Sequence, residues 1–214
     1  MEQGVASETI REFLDRLASS AATPGGGAAA AIVGAQAAAL VSMVCNLTIG
    51  RPRYASVDGA MRAILAESEA ARAGLLLLAE DDSAAYNSVA SAYRLSRSTE
   101  EERAARHRAI QAALIGASAP PLATVHACRA LLPLAHQVAA HGNSNVVSDA
   151  GVAAELAVAA VRSSLHNLRI NLAGIDDPDF VAEGERELAA AENGLADDLN
   201  RVVAIVRAKL APKP

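Results

Sequence analysis

Between Leu17 and Gly50 the chain carries no Asp, Glu, Lys or Arg, and it is built mostly from Ala and Gly. By length, such a stretch can cross a bilayer. Its composition points elsewhere, because Gln36, Ser42, Asn46 and Thr48 interrupt it and the Leu, Ile and Phe residues that drive insertion are scarce. The alternative is a helix enclosed by other helices, whose methyl-sized side chains let neighbouring backbones come close. Ala fills 52 of the 214 positions while aromatic residues make up only 2%. Ala favours helix and is depleted from strands, so sandwiches and barrels give way to an all-α fold. No membrane partner is expected.

The remaining segments punctuate as helices. Ile10, Phe13, Leu14 and Leu17 share one stripe, with Ser7 or Thr9 as N-cap. Thr23-Pro24-Gly25-Gly26-Gly27 breaks the chain and opens the uncharged helix, expected from about Ala28 to Thr48. A long helix follows from about Val57 through Asp82, with room to continue to Leu95. Ser98 with Glu101, and Thr99 with Glu102, both have capping-box spacing and start a helix ending near Ser118. Pro120-Pro121 stops it, and another helix is expected from Leu122 to His141 with a kink at Pro133. Ser148-Asp149 reads as the cap of a helix reaching Leu172, and Asp177-Pro178 as the start of a last helix reaching about Leu210. The sum is an up-and-down bundle of six or seven helices forming one domain over residues 1–214. Long Ala-rich helices pair readily between subunits, so a homodimer is expected.

Net charge is −5 and no run of Lys or Arg appears, which leaves a nucleic-acid partner without an electrostatic footing. Cys45 and Cys128 sit in apolar stretches and read as buried thiols of a reducing compartment. The charges at Glu2, Glu8, Arg11, Glu12, Asp15 and Arg16 are unlike a signal peptide, and a cytoplasmic location is expected. The five histidines show no metal-like spacing, and no metal site is expected.

Three polar islands interrupt the apolar helices: Thr23 to Gly27, Asn46 to Tyr54, and Gly142 to Asp149 with Asn167, Arg169 and Asn171 beyond. The Gly run is either a plain helix-entry turn or a cradle of backbone N–H groups for an anion or carbonyl. Asp81 and Asp82 belong to an acidic run that is either a solvated face or, for whichever acid lies beside Leu78, Ala85 and Val89, a source of a carboxylate with a raised pKa. Asp149 is a helix cap or part of a polar corner with Asn143, Asn145 and Ser148. Arg51, Arg53 and Arg169 are surface charges or carboxylate binders.

Taken together and in order, these islands resemble the cyclodeaminase/cyclohydrolase family. The likeness is carried by Leu17 to Gly27, Met43 to Gly50 with Tyr54, Asp82 with Tyr86, Gly142-Asn143 with Ser148 to Val152, and Asn167 to Leu172. It implies an all-helical dimer that binds a reduced folate as substrate, with no prosthetic group. On the matching positions it implies Asp82 as catalytic acid/base. The same resemblance puts Thr23, Pro24, Gly25, Gly26, Gly27, Asn46, Tyr54, Asn143, Ser148, Asp149 and Asn171 in the folate site, with Arg51 or Arg53 facing the anionic tail. Two positions depart from the family pattern: Arg51-Pro52-Arg53 stands where Lys is frequent, and Tyr86 where Phe is common.

The implied activity is hydrolysis of methenyltetrahydrofolate to 10-formyltetrahydrofolate. The alternative is cyclodeamination of formimino-tetrahydrofolate with loss of ammonia, and the remote alternative is a non-enzymatic helical scaffold. A carboxylate suits the first two, since it can take a proton from water and favours a cationic substrate.

Overall fold

The computed structural model describes residues 5–211; Glu2, counted among the charges above, lies outside the described residues. Eight α-helices make up the described chain: α1 Ile10–Leu17, α2 Gly26–Asn46, α3 Asp58–Tyr93, α4 Glu100–Ala117, α5 Ala119–His141, α6 Val147–Leu172, α7 Pro178–Glu192 and α8 Leu195–Leu210. Short 3-10 turns cover Val5–Ser7, Pro52–Val57 and Ser144–Val146. Among the described residues there is no strand.

Helix α2 is the axis. Twelve of its 21 residues are buried, and α3, α5 and α6 pack around it, so the uncharged stretch is enclosed by protein. Its small side chains are a steric requirement: a Cβ built on Gly34 would lie 2.5 Å from Cys128 Sγ on α5 and 3.2 Å from a Leu75 methyl on α3. A polar crossing inside this packing is satisfied, with Ser42 Oγ of α2 2.8 Å from Ser68 Oγ of α3.

The bonds at the two ends of α2 fix the chain directions. Gly50 N–H donates to Asp58 at the start of α3, while Ala28 N–H at the start of α2 donates to Asp82 late in α3, so the two helices are antiparallel. Asn143, just after α5, bonds to Leu47 and Thr48, which makes α5 parallel to α2. Asn171, at the end of α6, donates to Ala117 just before α5, so α6 runs back along α5. Outside this group, α4 lies on α3, α7 on α6, and α8 across α5 and α6. Asp198 pairs with both Arg129 of α5 and Arg201, tying α8 down.

Four local expectations change. The last helix is two helices, because the chain turns at Asn193-Gly194 with Gly194 at φ +67°, a left-handed conformation that a side chain disfavours; this takes the count to eight. Pro120 and Pro121 open α5 at Ala119 instead of preceding it, their missing N–H groups falling where a helix has no use for them. Helix α6 begins at Val147, so Ser148 and Asp149 are inside its first turn and no side chain caps it; Asn143 Oδ1 caps the preceding 3-10 turn by accepting from Asn145 N–H. At α4 the capping box is the Thr99–Glu102 pair.

Candidate active site

Gly25 is the N-cap of α2 and offers no side-chain oxygen, so the first N–H groups of the helix must find acceptors elsewhere. One comes from α3: Asp82 Oδ2 accepts from Ala28 N–H at 3.0 Å. Among the described residues the Gly26 and Gly27 N–H groups have no acceptor. The carboxylate reaches this position only because residue 27 has no side chain, since a Cβ there would stand 1.9 Å from Asp82 Oδ1. Burial raises the Asp82 pKa above the ordinary carboxylate value, and the Ala28 hydrogen bond offsets part of that rise. A half-buried carboxylate has thus been fixed against a positive helix end, where its anion is stabilised yet not fully solvated.

Asp82 faces a cavity of about 560 Å³. One side of it is the turn Ala22, Thr23, Gly25, Gly26 and Gly27; α3 adds Ala85, Tyr86, Val89 and Tyr93, and the end of α6 adds Asn167, Ile170 and Asn171. Leu114, Ala117 and Gly174 complete the wall. Tyr86 and Tyr93 are about half exposed and Ile170 more so, and the three form an apolar rim. Arg106 stands behind this rim, 5.5 Å over the Tyr93 ring, and donates to the Tyr93 carbonyl. Among the described residues no Lys or Arg lines the cavity itself.

The structure therefore brings together Asp82, Thr23, Gly25, Gly26, Gly27 and Asn171, with Pro24 buried beneath the turn after a cis peptide bond. Asn46, Arg51, Arg53, Tyr54, Asn143, Ser148 and Asp149 are not among the residues lining this cavity. They gather at the other end of α2, about 30 Å away at 1.5 Å per residue. The expected single pocket is two separate corners within one chain. The reason is the length of α2, which the three islands flank instead of sharing one end.

This second corner is a cluster of mutually satisfied groups. Asn143 N–H donates to Thr48 Oγ1 and its Nδ2 to the Leu47 carbonyl, each at 2.9 Å, and Ser144 N–H donates to Tyr54 Oη at 3.0 Å. The Ser144 contacts lower the Tyr54 pKa, and Arg53 stacks over the Tyr54 ring at 5.7 Å. Arg51 and Ser148 are exposed and Asn46 is exposed at the end of α2. Lys209 of α8 donates to the Ala139 and Ala140 carbonyls at the end of α5. Arg169 pairs with Glu192 on α7.

Tyr93, Ile170 and the stretch around Gly174 complete the cavity with little warning from individual residue types, whereas Asn167 belongs to the third polar island and Val89 to the apolar neighbours of the acidic run. The usable signal was spacing, because Asn167 and Asn171 are four apart and share a face of α6. Among the described residues no three His, Cys, Asp or Glu side chains gather as a metal site would require.

A helical bundle with a partly dehydrated Asp clasped by a glycine turn at one end matches the formiminotransferase-cyclodeaminase family model over residues 9–190, and the chain belongs to that family. It is 48% identical to the methenyltetrahydrofolate cyclohydrolase of Methylorubrum extorquens over 95% of this chain and 98% of that one. The formimidoyltransferase-cyclodeaminase of Sus scrofa is 33% identical over 88% of this chain, which spans 35% of that longer protein. In structure the chain is similar to formiminotetrahydrofolate cyclodeaminase from Thermotoga maritima, with a TM-score of 0.86, 32% identity, and coverage of 97% of this chain and 100% of that one.

Proposed function

We propose that this protein is a methenyltetrahydrofolate cyclohydrolase acting in one-carbon metabolism in the cytoplasm, with Asp82 as its acid/base. The observation that carries the reading is the Asp82 carboxylate, held by the start of α2 and facing a cavity with apolar walls. The 48% identity to a cyclohydrolase over nearly the whole of both chains supports it.

The substrate's bridge carbon is a cationic amidinium between two nitrogens. Water oxygen forms a bond to that carbon while Asp82 takes the water's proton, giving a neutral tetrahedral adduct. The protonated Asp82 then returns its proton to N5 as the bond from carbon to N5 breaks, and the adduct's hydroxyl loses its proton to solvent as the C=O forms, leaving the formyl group on N10. Over the cycle one water is consumed and one proton released. Because Asp82 Oδ2 already accepts the Ala28 N–H, the carboxylate keeps its orientation in both protonation states. The anion also favours the cationic ground state, and burial raises the carboxyl pKa so that it is a stronger base than a solvated Asp. The free Gly26 and Gly27 N–H groups are suited to an oxygen of the substrate or of the adduct. No prosthetic group takes part.

A homodimer belongs to the same reading. Among the described residues no cation lines the cavity, whereas Arg51 and Arg53 are exposed at the opposite corner, so a second copy would bring its cations to the anionic tail. Mixed oligomers of Asp82→Asn and an Arg51/Arg53 double variant test this: activity recovered on mixing supports a shared site, and its absence refutes one.

Loss of methenyl absorbance on adding enzyme tests the reaction. Formiminotetrahydrofolate cyclodeaminase is the second reading, favoured by the match to the Thermotoga maritima structure. Ammonia release from the formimino substrate by the same preparation, without methenyl hydrolysis, would replace the first reading with it. A preparation that binds no tetrahydrofolate would leave only the helical scaffold.

A further inference from the structure

Asn167 and Asn171 are successive polar residues on the cavity face of α6, and both amides are already oriented. Asn171 Nδ2 donates to the Ala117 carbonyl at 2.7 Å, and Asn167 Nδ2 donates to the Ser163 carbonyl at 3.0 Å. A carbonyl can pair only with the NH2 side of an amide, so these bonds settle which atom is oxygen. Neither Oδ1 accepts a hydrogen bond from the described residues. Asn167 Oδ1 also lies 3.5 Å from the point where a Gly26 Cβ would be, which puts it against the same turn that clasps Asp82.

We propose that these two amide oxygens are the acceptor pair that reads the exocyclic amino group of the substrate's pteridine. The inference rests on the folate reading and adds to it the residues that choose the heterocycle. The two residues are anchored four positions apart, about 6 Å along the axis, so their side chains have only to converge by about 1 Å to bring two acceptors roughly 5 Å apart. A planar amino group holding both hydrogens in bonds of about 2.9 Å places its two acceptors roughly 5 Å apart. The spacing therefore suits the two hydrogens of one NH2 group. A carbonyl-bearing heterocycle at that place would set lone pairs against lone pairs, and the site would reject it. Asn167 adjoins the Gly26-Gly27 turn while Asn171 lies one turn further on, so the amino end of the bicycle points away from the reacting carbon at Asp82.

The test is equilibrium binding of 6-methyltetrahydropterin and of its 2-desamino analogue, by calorimetry, to the wild type, Asn167→Leu and Asn171→Leu. The wild type is expected to prefer the amino compound by about tenfold for each hydrogen bond lost. Each variant is expected to lose about tenfold of that preference and to bind the desamino analogue as well as the wild type does. A structural role alone would weaken both ligands equally. Should Asn171→Leu fail to fold for want of the Ala117 bond, Asn167→Leu decides, because the Ser163 carbonyl keeps its partner within α6. Variants that keep the wild-type preference, a wild type with no preference, or a wild type that binds neither compound overturn the assignment. If the preference behaves as expected but the methenyl bridge is not hydrolysed, the pair stands and the proposed reaction falls.

Discussion

A single methyl group at residue 27 should separate catalysis from folding. In Gly27→Ala the new Cβ would start 1.9 Å from Asp82 Oδ1 and 2.3 Å from Cγ. Reaching the 3.4 Å of ordinary contact requires the carboxylate to retreat by about 1.5 Å, which breaks its 3.0 Å bond to Ala28. Misplacing a reacting group by about 1 Å costs on the order of a hundredfold in rate, so kcat should fall by at least about that much. Stability should hardly follow. Ala in place of Gly adds up to about 1 kcal/mol of helix propensity, against about 1.5–3 kcal/mol for the lost charge-assisted bond. The melting temperature should therefore drop by no more than a few degrees. Gly74→Ala, on the same helix as Asp82 and away from the cavity, is the control, because its Cβ would meet nothing within 4 Å, and it should leave kcat within a few-fold of wild type. The measurements are methenyl decay at saturating substrate and a thermal melt on each protein. A folded Gly27→Ala enzyme with kcat within about threefold of wild type would show that the Asp82 position is immaterial.

Asp82→Asn should abolish turnover while raising the melting temperature at neutral pH, since an amide can accept the Ala28 bond without the burden of a half-buried charge. The raised carboxyl pKa means that Asp82 contributes most to stability when protonated, and that contribution disappears as pH rises through its folded pKa. The melting gap between variant and wild type should accordingly close in acid; a gap that widens there would contradict the burial assignment. In the pH profile of kcat/KM the acidic limb should lie above the range of a free aspartate, falling tenfold per pH unit below it as the base is protonated; a limb at or below the ordinary value of 3.8 would count against Asp82 as the base. Burial pushes the thiols of Cys45 to about 11 and Cys128 to about 12, so a disulfide reagent should label neither until the protein unfolds, and rapid labelling of the native protein would refute the packing around α2.

Local chemistry made most of the helices legible. The Thr99–Glu102 box, the Asp177-Pro178 start and the enclosed α2 follow from hydrogen-bonding needs and side-chain size that act within a few residues. The break at Asn193-Gly194 was harder, because Gly also occurs inside helices here, as Gly184 does in α7, and only tertiary packing separates the two cases. Asp82 was legible as a carboxylate beside apolar neighbours, and the family likeness selected it from a run of acids. Its partner was not: nothing near residue 82 specifies an amide 54 positions earlier. That the three islands do not share one pocket within a single chain has a complementary reason. The family likeness put Asn46 and Gly27 in one site, although the helix expected between them already spans about 30 Å at 1.5 Å per residue.

Surrounding a helix made of methyls and hydrogens leaves such a molecule little slack at its centre. Each neighbour of α2 sits where it does because nothing larger stands between, so widening one position there would displace a whole helix and disturb both ends together. Change can accumulate cheaply only around the perimeter, at places such as Tyr86 and Ile170, where side chains meet solvent. Divergence in what such bundles accept should therefore be written on the rim, around an axle that hardly varies.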